Sequence, residues 1–435
     1  MRRREFLALR ADRRGCNTLK RIKDSGDIFF AISDREWILG GATVHVSMVG
    51  FDDGSETART LNDASVTNIT PQLTATLDTS VAKRLGESSG LSFMGITPSG
   101  PFDIPADRAA AMLIAPNPHG RPSSDVLRPW INGEEIADKW RGNWIIDFTS
   151  IESEAIASGY EQPFAHVAKV VGSARKSYKT GGKLFWKFER ARPAMRAAFA
   201  GHQRFLGRSM VGKHDFYRWI DTIFLPANLV IAFACQEDAF FGVAHSRIHN
   251  VWARAQGTQL RERESGFRYT PTTCFETFPF PEPTDEQKID ISTAAKELNE
   301  LRENWLNPPE WTTTRLLEFP GTTDGPWLRF VVDPGARGIG TVRYPRVEAR
   351  DDDCAKKLAK RTLTNLYNER PAWLANAHAK LDRAVAHADG FPVDLTDEQI
   401  LERLLALNQQ RIVDEKPATK KQPRVSRAKT DEEFV

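Results

Sequence analysis

Cysteine is scarce in this chain: four residues in 435 (Cys16, Cys235, Cys274 and Cys354), with no pair at a metal-binding or redox spacing. That scatter excludes a disulfide framework and a cysteine zinc cluster, and it fits a reducing, cytoplasmic compartment. No apolar run approaches the ~20 residues of a membrane-spanning helix, so no membrane partner is expected. The start, Met1-Arg2-Arg3-Arg4-Glu5-Phe6, lacks the apolar stretch of a secretory signal. The formal net charge of +3 favours neither sign strongly.

Several catalytic signatures are missing too. The chain holds no Gly-Lys-Ser/Thr phosphate loop, no nucleophile elbow and no nuclease carboxylate–lysine set. A methyltransferase using S-adenosylmethionine needs a Gly-rich turn from strand to helix. For an amino target it also needs an Asn/Asp-Pro-Pro-aromatic loop to hold the flipped base. No Gly-rich turn follows a strand. Asn307-Pro308-Pro309-Glu310 carries a glutamate where the aromatic belongs and follows a charged helix, so it reads as a helix-ending loop. His245 and His249 have metal-ligand spacing, but Ser246 stands where a zinc protease has its glutamate. With no third ligand evident, packing or hydrogen bonding is the expected role, as it is for His119 in its turn.

The residues that are present describe a globular chain of two or three domains, 40% hydrophobic and 10% aromatic. Residues 1–14 read as a leader without periodicity. Thr18–Asp24 ends a basic helix at Gly26, and Asp27–Ser33 and Thr43–Phe51 read as strands, with another short apolar run near Val66–Ile69. Thr79–Leu85 reads as a short helix. After Gly90 frequent Gly, Pro and Asn mark short elements joined by turns. Helices are expected at Asp107–Leu113, Tyr160–Ser173, Leu184–Ala200 and Ser246–Gln256, and strands at Trp144–Phe148, Leu229–Phe233, Phe240–Val243 and Phe267–Thr273. Thr284 opens a capping box before an amphipathic helix through Arg302. A Pro/Gly-rich stretch spans Asn307–Gly340, and helices follow at Cys354–Glu369, Ala372–Ala388 and Asp397–Asn408. The basic end, Lys416–Lys429, reads as disordered. The class is α+β.

Charge is unevenly placed. Glu161–Arg218 holds thirteen Lys/Arg against three Asp/Glu. A solvated helical surface would look the same, but Tyr178, Phe185 and Trp186 among the charges favour nucleic acid. Arg175, Lys176, Lys179, Lys183 and Lys213 are the candidate phosphate contacts there. Arg121 and Arg128 flank Ser123-Ser124-Asp125 in a turn suited either to a phosphate clamp or to an internal Arg128–Asp125 pair.

Residues 243–283 combine arginines and aromatics, with two carboxylates, Glu262 and Glu264, lying between the arginines. Arginine reads guanine and glutamate accepts from the cytosine amino group. Arg247, Arg254, Gln259, Arg261, Glu262, Arg263, Glu264 and Arg268 are therefore the candidate base-reading set, and double-stranded DNA is the candidate partner.

The segments SGDIFFAISDREWILGGATVHVSMVGF, DVLRPWINGEE, WIIDF, YEQPF, RPAMR, FGVAHSRIHNVWARAQGTQLRERESGFRYTPTTCFETFPFPEP and LYNERPAWLANAHAKLDRAVAHADGFP resemble the MmeI-like DNA methyltransferases of type II restriction–modification. The likeness runs from about Gly15 to about Asn408. It implies a closing part of an adenine-N6 methyltransferase domain at 15–90 and a target-recognition domain at 91–283. It further implies a C-terminal helical domain at 284–412, leaving 1–14 as an unmatched leader and 413–435 as a basic tail. S-adenosylmethionine is then expected for the complete enzyme but no cofactor for this chain, because the family's nuclease, cofactor-binding and catalytic motifs have no counterpart here. The resemblance leaves three possibilities open: a DNA-binding portion, a subunit completed by a separately encoded N-terminal half, or an inactive remnant. In the second, strand Thr43–Phe51 is expected to complete the partner's sheet.

Overall fold

The computed structural model describes residues 5–10, 13–39, 42–66, 68–71, 73, 77–175, 184–259 and 266–415. Two hydrophobic cores organise them, one between Leu19 and Leu73 and a much larger one from Ile96 to Leu405. Neither of the expected disordered or basic segments 416–429 and 176–183 falls within the described residues. No described helix is long and apolar enough to cross a membrane.

The small core lies between helix α1 (Arg13–Ser25) and a five-stranded sheet. The strands are β1 (Glu5–Arg10), β2 (Asp27–Leu39), β3 (Ala42–Asp52), β4 (Arg59–Leu61) and β5 (Ala64–Val66), in the order β1-β3-β2-β4-β5. Helix α1 must stop at Gly26, where a Cβ would stand 1.9 Å from the Asp52 carbonyl oxygen. Asp27, the next residue, accepts from Lys23 at 2.5 Å and Arg59 at 2.6 Å. Burial pushes its carboxyl up, but these bonds hold it below the ordinary aspartate value.

Two expectations fail here. Residues 5–10 of the supposed leader form a strand, paired antiparallel with β3 from Glu5↔Phe51 to Arg10↔Val46. That pairing places β3 between β1 and β2, so Thr43–Phe51 has neighbours on both sides and is not an edge open to a partner's sheet.

The large core takes in the rest. Its central region contains β6 (Ser92–Met94), β7 (Asp103–Ile104), α2 (Ala106–Ile114), β8 (Leu127–Ile131), β9 (Trp144–Ile146), α3 (Glu154–Ser158), α4 (Glu161–Arg175) and α5 (Pro193–Ala198). It continues with β10 (Arg204–Ser209), β11 (Val211–Gly212), β12 (Arg218–Asp221), β13 (Leu225–Pro226), β14 (Val230–Phe233), α6 (Asp238–His245), α7 (Arg247–Gln256), β15 (Thr258–Gln259) and β16 (Phe267–Arg268). These strands make three small sheets, ordered β12-β10-β14-β6, β13-β8-β9-β7 and β11-β16-β15. The result is the expected α+β architecture, with local differences: the expected strand Phe267–Thr273 is a strand only over Phe267–Arg268, and Pro271–Phe275 is helical. Of Leu184–Ala200 only Pro193–Ala198 is helical, and Phe240–Val243 lies inside α6 rather than in a strand. Gly242 explains the helix: a Cβ there would meet Ile291 at 2.6 Å and Leu381 at 3.0 Å, so α6 packs closely on two later helices.

Those helices belong to the final region: α8 (Asp285–Leu306), β17 (Thr312–Thr322), β18 (Val331–Val332), β19 (Ile339–Ala349), α9 (Asp352–Leu358), α10 (Leu363–Glu369), α11 (Ala372–Ala388) and α12 (Asp397–Asp414). Thr284 and Thr396 each close a full capping box, so both starts fall where the sequence puts them. Along α8, Ile291, Ala294, Ala295, Leu298, Arg302 and Leu306 are buried at helical spacing. Where a Pro/Gly-rich stretch was expected between the helices, the region carries a long antiparallel ribbon, β17 against β19 from Thr312↔Ala349 to Thr322↔Ile339. Asn307 caps α8, and its side chain donates to Glu303 at 3.3 Å. Residues 307–310 are therefore the helix-ending loop the sequence implied.

Candidate nucleic-acid interface

Helix α6 ends at His245 and α7 begins at Arg247, because Ser246 adopts an extended backbone and its Oγ accepts from the His249 amide at 3.2 Å. The two histidines therefore do not share one continuous helix. Helix α7 buries Ile248, His249, Trp252 and Ala253 and leaves Arg254 half exposed. It stops at Gly257, where a Cβ would stand 2.1 Å from the Phe267 ring. β15 and β16 then pair antiparallel, and residues 260–265 between them lie outside the described residues. Gly266, just before β16, stands at φ +89° with room for no Cβ: one would lie 2.4 Å from the Gly212 carbonyl oxygen.

Beneath the hairpin is a buried polar core. Arg208, 1% exposed, donates to Asp215 at 3.2 Å and to the Tyr217 hydroxyl at 3.0 Å, and its guanidinium lies 3.9 Å from the Tyr269 ring centre. Asp215 also receives Arg254 at 2.5 Å. His249 donates from Nδ1 to the Ala244 carbonyl at 3.0 Å, leaving Nε2 to accept from the Tyr269 hydroxyl at 3.2 Å. Burial, aided by the Arg208 charge, pushes the His249 imidazole down to about 3. Burial opposes the Arg208 charge as well, but Tyr217, Asp215 and Tyr269 more than offset it and keep the guanidinium protonated.

His245 ties this core to α8. Its Nε2 accepts from the Tyr217 amide at 3.0 Å and from Arg302 at 2.6 Å, while Arg302 also donates to the Tyr217 carbonyl at 2.7 Å. Burial and the adjacent Arg302 charge hold His245 well below the ordinary histidine value. Both histidines are thus committed to internal hydrogen bonds.

The candidate base-reading residues divide into three groups. Arg261, Glu262, Arg263 and Glu264 lie outside the described residues, as does the side chain of Gln259 at the end of β15. Arg254 lies at the hairpin base, 5.8 Å from the Phe267 ring centre, and Arg268 is exposed on the sheet face shared with its cross-strand partners Val211 and Thr258. Arg247 points elsewhere: it donates to the Leu395 carbonyl at 2.9 Å and to Asp397 at 2.6 Å, holding the start of α12.

The candidate phosphate contacts also separate. Lys176, Lys179 and Lys183 lie outside the described residues. Arg175, at the end of α4, gathers the carbonyls of Pro98, Ser99, Phe185 and Lys187, at 2.7–3.2 Å, and so joins α4 to the described residues that follow 183. Lys213 is exposed beside the hairpin and donates to Asn368 at 2.9 Å. In the turn after Gly120, Arg121 pairs with Asp125 and Asp324, while Arg128 donates to the Thr222 and Ile223 carbonyls. The internal pair in that turn is Arg121–Asp125. Sequence reasoning passed over Asp215, Arg208 and Arg302. One signal was available for the first: Asp215 is one of only three acids in a tract with thirteen cations.

Residues 214–282, which include α7 and the hairpin, match the family model described as the MmeI target recognition domain. DNA methyltransferase A of Bacillus subtilis (strain 168) is 34% identical over 83 residues, 19% of this chain and 9% of that protein. A solved structure of the type IIL restriction-modification enzyme MmeI in complex with DNA is similar over 94% of this chain, with a TM-score of 0.66 and 18% identity. That likeness concerns the fold. The chain spans about half the length of the solved enzyme it matches (50%) and 9% of the curated relative.

Proposed function

We infer that this chain, MmeI-like in its recognition domain and in its fold, is the sequence-reading portion of an adenine-N6 DNA methyltransferase of restriction–modification type. The observation that carries the reading is the β15–β16 hairpin. Its two short strands, packed through Phe267 and Gly266, flank residues 260–265 inside the segment that matches a target recognition domain. Arg261, Glu262, Arg263 and Glu264 supply both donors and acceptors for base edges, and a bidentate arginine–guanine pair discriminates by about 1–3 kcal/mol. Lys176, Lys179 and Lys183 hold the backbone without reading it. Binding selections on randomised duplexes test this division. Arg263→Ala relaxes one position of the recognised sequence, whereas Lys183→Ala weakens all sequences alike. Unchanged preference and unchanged affinity in both variants overturn it.

Methyl transfer by the complete enzyme, with S-adenosylmethionine as donor, calls for the remaining half of the related fold. A separately encoded chain supplying it would co-purify with this one and restore methylation on mixing.

A further inference from the structure

Helices α2 and α4 lie side by side, and between them runs a groove of about 280 Å³. Arg108 of α2 and Gln162, His166 and Lys169 of α4 line it, over a floor that includes Met112. The three α4 residues fall at i, i+4 and i+7, one face of the helix. Arg108 and Lys169 are exposed and have no carboxylate partner among the described residues. His166 is 9% exposed, yet neither ring nitrogen has a hydrogen-bond partner. Buried polar atoms are nearly always paired, so two orphaned nitrogens beneath two free cations mark a place that lacks its anion. Burial, Arg108 and Lys169 all push the imidazole down, against a weaker opposite pull from Asp103.

We propose that the α2–α4 groove is a phosphate subsite, with Arg108 and Lys169 gripping one phosphate of the duplex backbone above the His166 ring. The proposal rests on the DNA-recognition reading and adds a contact to it. Lys169 stands six residues before Arg175, ~9 Å along the helix, so the groove lies on the same helix whose end, at Arg175, leads into the basic residues Lys176, Lys179 and Lys183 of the sequence. A phosphate seated there reverses the local field on His166 and draws a proton onto the imidazole.

Two measurements on the full chain test this: the salt dependence of binding to a 20-base-pair duplex, and the His166 titration followed by NMR. Removing one phosphate contact flattens the log affinity against log salt slope by about 1. Arg108→Gln with Lys169→Gln is expected to do so and to weaken all sequences alike, about tenfold at 0.1 M salt by the same relation. Ala165→Glu, which sets a carboxylate in the groove from an exposed position, is expected to do the same; unchanged urea midpoints show that each variant is folded. In the wild type, duplex raises the His166 pKa; in the double variant it does not. If wild type binds duplex but neither slope nor titration responds to the variants, the subsite is overturned while DNA recognition stands. If wild type binds no duplex, the recognition reading fails, and titration with inorganic phosphate decides. A His166 rise lost in the double variant then assigns the groove to free phosphate, and no rise overturns it.

Discussion

Asp215 Oδ2 lies 2.5 Å from Nη2 of Arg254, and the carboxylate is almost wholly buried while the guanidinium is half exposed. Its other oxygen meets the buried Arg208 at 3.2 Å. One anion therefore serves two cations, and Arg254 carries charge to the surface at the base of the candidate reading loop without free rotation.

Asp215→Asn keeps the shape and removes the anion, leaving the Arg208 charge buried and unbalanced. The expected loss is about 3–5 kcal/mol, the usual cost of breaking a buried pair from one side. Urea denaturation reads it directly. A loss below ~1 kcal/mol would show that the Tyr217 hydrogen bond and the Tyr269 ring suffice to hold the Arg208 charge.

His249 sets an acid limit on stability. In the unfolded chain its imidazole takes a proton below about pH 6.5, but in the fold only near pH 3. Between those values acid favours the unfolded chain, so stability falls as pH drops through the window and the full contribution is present above it. The slope from this one group is up to about 1.4 kcal/mol per pH unit. Replacing His249 by glutamine should flatten the pH dependence of the unfolding free energy between pH 6 and 4. Parallel curves for the two proteins would reject the assignment.

Arg302 is fully buried and donates to His245 and to the Tyr217 carbonyl, with the Tyr367 ring 5.9 Å away and no carboxylate partner among the described residues. Arg302→Lys retains the charge on a head that cannot reach both His245 and the Tyr217 carbonyl, whereas Arg302→Met removes charge and donors together. Because an ill-paired buried charge costs more than a lost hydrogen bond, the lysine variant should be the less stable by about 1–3 kcal/mol. Equal or reversed midpoints in guanidinium chloride count against this account.

Gly266→Ala combines a positive φ with a backbone clash against Gly212. A destabilisation of about 1–3 kcal/mol is expected, concentrated in the hairpin. Hydrogen exchange should speed up at Phe267 and Tyr269 and remain unchanged along α11. Uniform acceleration, or none, would mean the hairpin is not held at this point.

Where local chemistry decides an element, the sequence is a sufficient guide. The Thr284 and Thr396 caps and the periodic burial of α8 and α11 place these helices to within a residue or a few at their starts. The ribbon was hidden by its prolines and glycines, which read as loop. The fold accommodates Pro320 on the edge strand β17, and Pro345 beyond the stretch of β19 that is paired on its second side. Phe240–Val243 has strand-like composition, but its tertiary neighbours Ile291 and Leu381 select a helix. The loop arginines and glutamates were recognisable as chemistry from their types and spacing. The polar core beneath them was not, since residues 208, 215, 217, 249, 269 and 302 come from separated segments and no local pattern links them.

The β17–β19 ribbon leaves α8 at one end and reaches the central region at the other, where Ser124 donates to the Pro320 carbonyl and Trp327 stacks on Trp144 at 5.6 Å. It thus works as a strap riveted at two distant points, with the Arg302–His245–Tyr217 bond set as a third fastening between the same two bodies. Three fastenings on one continuous core leave neither body free to melt ahead of the other. Heat or denaturant should meet them as a single cooperative unit, and a change made at the ribbon tip should be felt in the midpoint of the whole.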